Sequence, residues 1–213
     1  MLAPGAIIFS LNILSAIVAL LTSYYAYRAN RLLDNSVLKA ISLGFMLLGI
    51  GLIADAGTSL VSGKTLVDSF ADRILILFAS VTYLAIQMVA YLIIAVGYAR
   101  AAYGRRGEKL APLALAGSAV LGLYSFSLLS YFVALLLLAF VVFQGVLMRS
   151  KAKGRFSGIV LIAFTLVFLA HLILLASVVT LGGFLFLVGT SVQFLGFVSL
   201  LVFVVRSEIV GPT

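Results

Sequence analysis

The chain has no cysteine and no tryptophan, one histidine and three prolines, and only six of its 213 residues are acidic. Without cysteine there is no disulfide, no thiolate metal site and no cysteine nucleophile. One histidine and scattered carboxylates cannot build a closed zinc site, and ligation of haem by two histidines is out of reach within one chain. We therefore expect no metal and no cofactor. Charge is scarce too. Charged residues make up 9% of the chain, against about 25% in soluble domains. The apolar runs do not alternate with period two, which excludes a β-barrel. Nothing outside them is long enough for a soluble domain.

What is present is apolar length. Apolar residues are 64% of the chain, gathered in uncharged runs that approach the ~20 residues needed to cross a ~30 Å hydrocarbon core. The expected class is all-α, a polytopic membrane protein forming a single domain over 1–213. Seven spans are expected, at 6–27, 38–61, 74–99, 110–123, 128–148, 156–179 and 184–205. The fourth is short. The first run has no basic leader and is too long for the apolar stretch of a signal peptide, so we expect it to be kept as a span.

The net charge of +8 would suit nucleic acid, but its distribution points elsewhere. Arg28, Arg31 and Lys39 fall in one loop, Arg100, Arg105, Arg106 and Lys109 in another. Arg149, Lys151, Lys153 and Arg155 fall in a third, and Arg206 follows the last run. Seven spans put all twelve on one side and leave Lys64 and Arg73 on the other. The positive-inside bias then sets the N-terminus out and the C-terminus in. The clusters read as topology signals lying against anionic headgroups, not as a nucleic-acid surface. Tyr24, Tyr25, Tyr27, Tyr98 and Tyr103 are expected in the inner aromatic belt, and Tyr124 and Tyr131 in the outer one. The longest outer segment, 62–73, is expected as a short interfacial helix with Leu66, Val67 and Phe70 on one face.

Spans one to three resemble spans five to seven in the same direction. Gln87 lies thirteen residues before Arg100, and Gln193 thirteen before Arg206. In the second and sixth spans, 44–47 (GFML) faces 163–166 (AFTL). These repeats, 6–100 and 128–206, would be joined by a linker helix at 110–123, whose single crossing lets two triplets keep one orientation. This 3+1+3 plan resembles that of the PQ-loop sugar carriers and some vitamin carriers, but the chain has no Pro-Gln pair. Seven spans with an outer N-terminus also resemble rhodopsins and G-protein-coupled receptors. Here the last span has no lysine for a retinal Schiff base, and no Asp-Arg-Tyr type triplet follows the third. These residues identify no specific family.

Five polar residues within the runs are the candidate ligand- or proton-binding set: Asn12, Asp55, Gln87, His171 and Gln193. Ionisable groups are costly in hydrocarbon and usually face a bundle interior. At 1.5 Å per residue, Asp55 is about 25 Å along its helix, near the outer boundary, and Asn12 about 9 Å below that boundary. Those two suit each other in depth, as do His171 and Gln193. An aspartate near a histidine is a candidate proton-responsive pair, because histidine titrates near neutral pH. The glutamines and histidine serve equally well as hydrogen-bonding glue between helices, and Gly44, Gly49, Gly51, Gly189 and Gly196 as points of close helix approach. Ser10, Ser42, Ser59 and Ser177 share this depth, yet nothing pairs one with a base, so no catalytic residue and no enzyme is expected. Gly104-Arg105-Arg106-Gly107 lacks the context of a phosphate-binding loop. The function expected is a small-solute or ion carrier, or a ligand-sensing bundle, with its pocket in the outer half. The alternative is a structural or accessory subunit of a larger membrane complex. Expected partners are the lipid bilayer, a small-molecule ligand, and a second copy or another membrane protein. Small size and short loops suggest a prokaryotic cytoplasmic membrane.

Overall fold

The computed structural model describes residues 4–62, 70–103, 127–151, 156–180 and 182–210. They form six helices: α1 (Pro4–Leu33), α2 (Ser36–Ser62), α3 (Phe70–Tyr103), α4 (Ser127–Lys151), α5 (Phe156–Thr180) and α6 (Gly183–Val210). Each contains a stretch long and apolar enough to cross a membrane, as in a multi-pass membrane protein. The expected span at 110–123 lies outside the described residues. The segment expected as a separate interfacial helix is divided instead. Ser62 closes α2, Phe70 opens α3, and 63–69 lies outside the described residues.

The helices outlast their apolar runs. Backbone hydrogen bonding does not stop where the hydrocarbon does, and α1 continues to Leu33, beyond the run ending at Tyr27. There Arg28 lies over the Tyr24 ring at 5.8 Å, and Arg31 over Tyr27 at 5.2 Å. The turn into α2 takes two residues. Asp34 adopts a left-handed φ of 44°, a conformation that Asp tolerates better than most residues. Its N–H donates to the Asn30 carbonyl at 2.8 Å. Asn35 then caps α2, its Oδ1 accepting from the Val37 N–H at 2.9 Å, which satisfies one orphan donor of the first turn. At the α5–α6 turn the Gly182 N–H bonds back to the Ser177 carbonyl at 3.1 Å.

The helices pack in a ring in chain order, and α6 closes it against α1. One end of the bundle is basic, carrying Arg28, Arg31, Lys39, Arg100 and Arg206. At the other end lie Asp55 and the starts of α1, α3, α4 and α6. Helices α3 and α4 run parallel, since Tyr83 and Tyr131 line one cavity near their starts and Gln144 bonds to Tyr103 near their ends. At mid-depth large side chains fill the centre of the ring. Phe45 and Phe197 meet edge to face at 5.2 Å, as do Tyr91 and His171 at 5.2 Å, and Tyr98 and Phe164 at 5.7 Å. Leu48, Ile94 and Leu138 are fully buried around them.

In lipid there is little hydrophobic gain between helices, so close approach and interhelical hydrogen bonds carry the packing. Gly97 of α3 rests on Ala40 of α2, with the Ser36 carbonyl 3.3 Å from where a Cβ would stand. The Ser23 hydroxyl donates across to the Ser42 carbonyl at 2.8 Å, tying α1 to α2.

Candidate functional site

A cavity of about 230 Å³ opens among the helices at the Asp55 end of the bundle. Its polar wall is Asn12 of α1, Asp55 of α2, Tyr83 of α3, Tyr131 of α4, and Thr190 and Gln193 of α6. Leu84, Leu174, Val178 and Phe186 complete the lining, so every described helix contributes. Asn12 is buried and donates through Nδ2 to Oδ2 of Asp55 at 2.9 Å. That bond holds one carboxylate oxygen in place and fixes α1 against α2.

Gln193 is 4% exposed, and its amide nitrogen has no hydrogen-bond partner of normal length, although Tyr83 stands beside it. Buried polar groups are nearly always paired, and an unpaired buried donor costs on the order of 1–3 kcal/mol. Ser15 Oγ and Gln144 Oε1 are likewise buried without a partner, but of the three only Gln193 belongs to this lining. Thr190, one turn earlier, gives its hydroxyl proton to the Phe186 carbonyl at 2.9 Å and keeps acceptor capacity only.

Gln87 and His171 lie elsewhere, in a closed cluster deeper in the bundle. His171 Nδ1 is 2.8 Å from the Val167 carbonyl and so carries the ring proton. Nε2 is then the acceptor, 2.8 Å from Gln87 Nε2 and 3.2 Å from the Tyr91 hydroxyl. Gln87 also donates to that hydroxyl at 3.3 Å. All three side chains are buried, and each has a partner within the group. Tyr131 touches both places, lining the cavity while its ring lies 6.3 Å from that of His171.

Three of the five sequence candidates, Asn12, Asp55 and Gln193, therefore line the cavity. His171 pairs with Gln87 and Tyr91 rather than with Gln193. Neither Gln87 nor His171 is in the lining, so the expected Asp55–His171 pairing is not formed. Tyr131 and Tyr98, expected in the aromatic belts, point inward. Tyr131 lines the cavity and Tyr98 is 4% exposed in the core. Tyr83 was not among the candidates, though Tyr83, Gln87 and Tyr91 recur at i, i+4 and i+8, one stripe of a helix. Gln144 was also missed. It is buried in α4 and donates to the Tyr103 hydroxyl at 3.2 Å. The hydroxyls of Ser10 and Ser177 donate to carbonyls of their own helices. Among the described residues no three metal-ligating side chains converge.

A second cavity, of about 210 Å³, lies at the basic end between Asn35, Val37, Tyr98, Val141, Gly145 and Phe164. Tyr83 of the first cavity and Tyr98 of the second are fifteen residues apart on α3, about 22 Å of helix. The buried Tyr91 layer occupies the interval. The chain matches no protein-family model, no curated protein and no solved structure.

Proposed function

We propose that the chain is a non-catalytic carrier or sensor of small solutes, and that the cavity around Asp55 and Gln193 is where the solute binds. One observation carries this reading. A cavity walled by all six described helices contains both a carboxylate and a buried amide nitrogen with no hydrogen-bond partner of normal length. A bundle built only for stability has no use for that arrangement, since filling the space with apolar groups would be less costly. The second cavity and the intervening aromatic layer support the carrier form: two vestibules separated by a closed constriction.

The proposed topology is seven spans in a cell membrane, N-terminus out and C-terminus in, with the Asp55 cavity toward the outside. Helix α3 ends at the basic end, whereas α4 begins at the opposite one. A seventh crossing reconciles those two ends with a single basic face. The proposed parallel repeat pairs α1–α3 with α4–α6. The neighbour order of the ring is unchanged when the two triplets are exchanged. Locally, a Cβ on Gly44 would stand 3.0 Å from the Ala90 carbonyl, and one on Gly196 would stand 3.2 Å from that of Ala163. Under the alignment of 44 with 163 and 87 with 193, these are the same two positions with glycine and alanine interchanged.

The test is solute-dependent stabilisation of the purified full chain across a library of small polar and charged solutes. At least one should raise the unfolding temperature, and Asp55→Asn and Gln193→Leu variants that still insert should lose the response. If no solute stabilises the wild type, or if both variants respond like the wild type, the cavity is not the site. A stoichiometric membrane-protein partner co-purifying with a solute-insensitive chain would instead mark an accessory subunit.

A further inference from the structure

We infer that the solute is a small neutral heteroaromatic ring whose edge carries an acceptor nitrogen and, one carbon away, a donor N–H, as in an azole or a nucleobase; this rests on the proposed binding role of the Asp55 cavity. Two neighbours on α6 set the edge. Gln193 lines the cavity while buried, and its Nε2 has no hydrogen-bond partner of normal length, so it needs an acceptor. Thr190 lines the same wall with its proton committed to the Phe186 carbonyl, so it can only accept. Residues three apart lie side by side on a helix. A donor beside an acceptor is met by the complementary pair on a solute. The rings of Tyr83, Tyr131 and Phe186 share the wall and suit a flat partner, which aromatic side chains meet by stacking or edge to face. Among its described residues the wall has no cationic side chain, so a carboxylate or phosphate would be buried without compensation. An ammonium has no acceptor to offer Gln193.

The other triplet shows what meets a glutamine at this position. Under the proposed alignment of 44 with 163 and 87 with 193, Gln193 corresponds to Gln87. Gln87 Nε2 donates to His171 Nε2 at 2.8 Å and to the Tyr91 hydroxyl at 3.3 Å. The positions corresponding to His171 and Tyr91 are Leu52 and Phe197, both buried and apolar. The second glutamine therefore keeps the donor without the imidazole that satisfies the first. An aromatic nitrogen of the solute supplies that acceptor. Size agrees. A cavity of about 150 Å³ holds benzene, so about 230 Å³ takes a fused bicyclic ring of roughly nine non-hydrogen atoms.

The experiment compares three fused bicycles of one size: benzimidazole, which has both edge groups, indole, which lacks the acceptor, and benzoxazole, which lacks the donor. Binding to the full chain in nanodiscs is measured calorimetrically, against empty nanodiscs to remove lipid partition, at a pH where all three are neutral. Benzimidazole should bind roughly tenfold or more tightly than indole and about fivefold more tightly than benzoxazole. Gln193→Leu should abolish the preference over indole, and Thr190→Val only the preference over benzoxazole. A preference over indole that survives in Gln193→Leu overturns the inference and places the ligand elsewhere. Indole binding to the wild type as tightly as benzimidazole overturns the solute class; if Gln193→Leu still alters that binding, the cavity remains the site. No saturable binding of any of the three also overturns the class, and the response to the wider solute library then decides the cavity's role.

Discussion

Substituting Gly97 by alanine places a methyl group where Ala40 of α2 already stands. The opposing atom decides the magnitude. At Gly44 the nearest obstructing atoms belong to the Ile94 side chain, with the Ala90 carbonyl next at 3.0 Å, and the Ile94 side chain has a rotamer to change. At Gly97 the obstruction is Ala40 Cβ, which is fixed to the backbone and has no rotamer to change. Relief requires α2 and α3 to separate locally. Overpacking of this kind costs about 1–3 kcal/mol, and the rigid neighbour puts Gly97→Ala near the top, about 3 kcal/mol. The compensating change is Ala40→Gly. It removes the obstructing methyl and leaves the Ser36 carbonyl at 3.3 Å, a close contact relieved by a shift of a few tenths of an ångström, and Ala40 Cα at an ordinary 3.6 Å. Alone, Ala40→Gly costs about 1 kcal/mol in helix propensity. The double variant should cost no more than that, giving a coupling of about 3 kcal/mol. Gly57→Ala is the control, since a Cβ there meets nothing within 4 Å and should be neutral or stabilising by up to about 1 kcal/mol. Equilibrium unfolding in mixed detergent micelles, read by near-ultraviolet circular dichroism of the tyrosines, measures all four. Strict additivity of the two single costs, or a Gly97→Ala variant as stable as wild type, would refute the close α2–α3 contact.

Replacing His171 by leucine leaves the Tyr91 hydroxyl without its acceptor, and the same titration should show a loss of about 2–4 kcal/mol; a neutral result would mean the cluster does not hold α3 to α5. Asn12→Leu withdraws a donor from Asp55 and should cost about 1–3 kcal/mol in solute-free protein, with an unchanged midpoint counting against the bond. Gln193→Leu should go the other way, stabilising the solute-free protein by about 1 kcal/mol by removing an unpaired donor; destabilisation would show that the amide has a partner. Because the chain has no native cysteine, single cysteines report topology cleanly. Ala3→Cys should react with an impermeant maleimide on intact cells and Arg206→Cys only after permeabilisation; reaction of both from outside would require an even number of crossings.

Depth was legible in the sequence and azimuth was not. Counting 1.5 Å per residue from the charged boundaries put Asn12 and Asp55 at one level, and they are hydrogen-bonded there. The same arithmetic put His171 level with Gln193, but a level says nothing of which way a side chain points. His171 faces α3 and Gln193 faces the cavity. With apolar residues all round each helix, no polar stripe marks the inner face, and the usual periodicity argument has little to act on. Only the Tyr83–Gln87–Tyr91 spacing carried rotational information. Tyrosine misled for a related reason. At membrane depth an amphipathic ring can end in headgroups or in a wet interior, and Tyr131 takes the second course. Charge marked helix ends too early, because Arg28 and Arg31 lie on a helix that continues as far as Leu33.

The position of the aromatic layer bears on how a carrier of this build would work. A solute passing from the Asp55 cavity toward the Tyr98 cavity meets the Phe45–Phe197 and Tyr91–His171 contacts. Moving those rings one at a time would break the His171 cluster and leave buried polar atoms unpaired, each costing about 1–3 kcal/mol. Rocking α1–α3 as a body against α4–α6 strains a different set of contacts. It loads the two interfaces between triplets, α3 with α4 and α6 with α1, while Asn12–Asp55 and Ser23–Ser42 stay within one triplet. Yet Gln87 and Tyr91 belong to one triplet and His171 to the other, so this cluster is the polar clamp that such a motion must open. A variant that weakens the clamp without collapsing the core, such as Tyr91→Phe, which keeps the Gln87–His171 bond, should therefore speed exchange between the two vestibules more than it weakens solute binding.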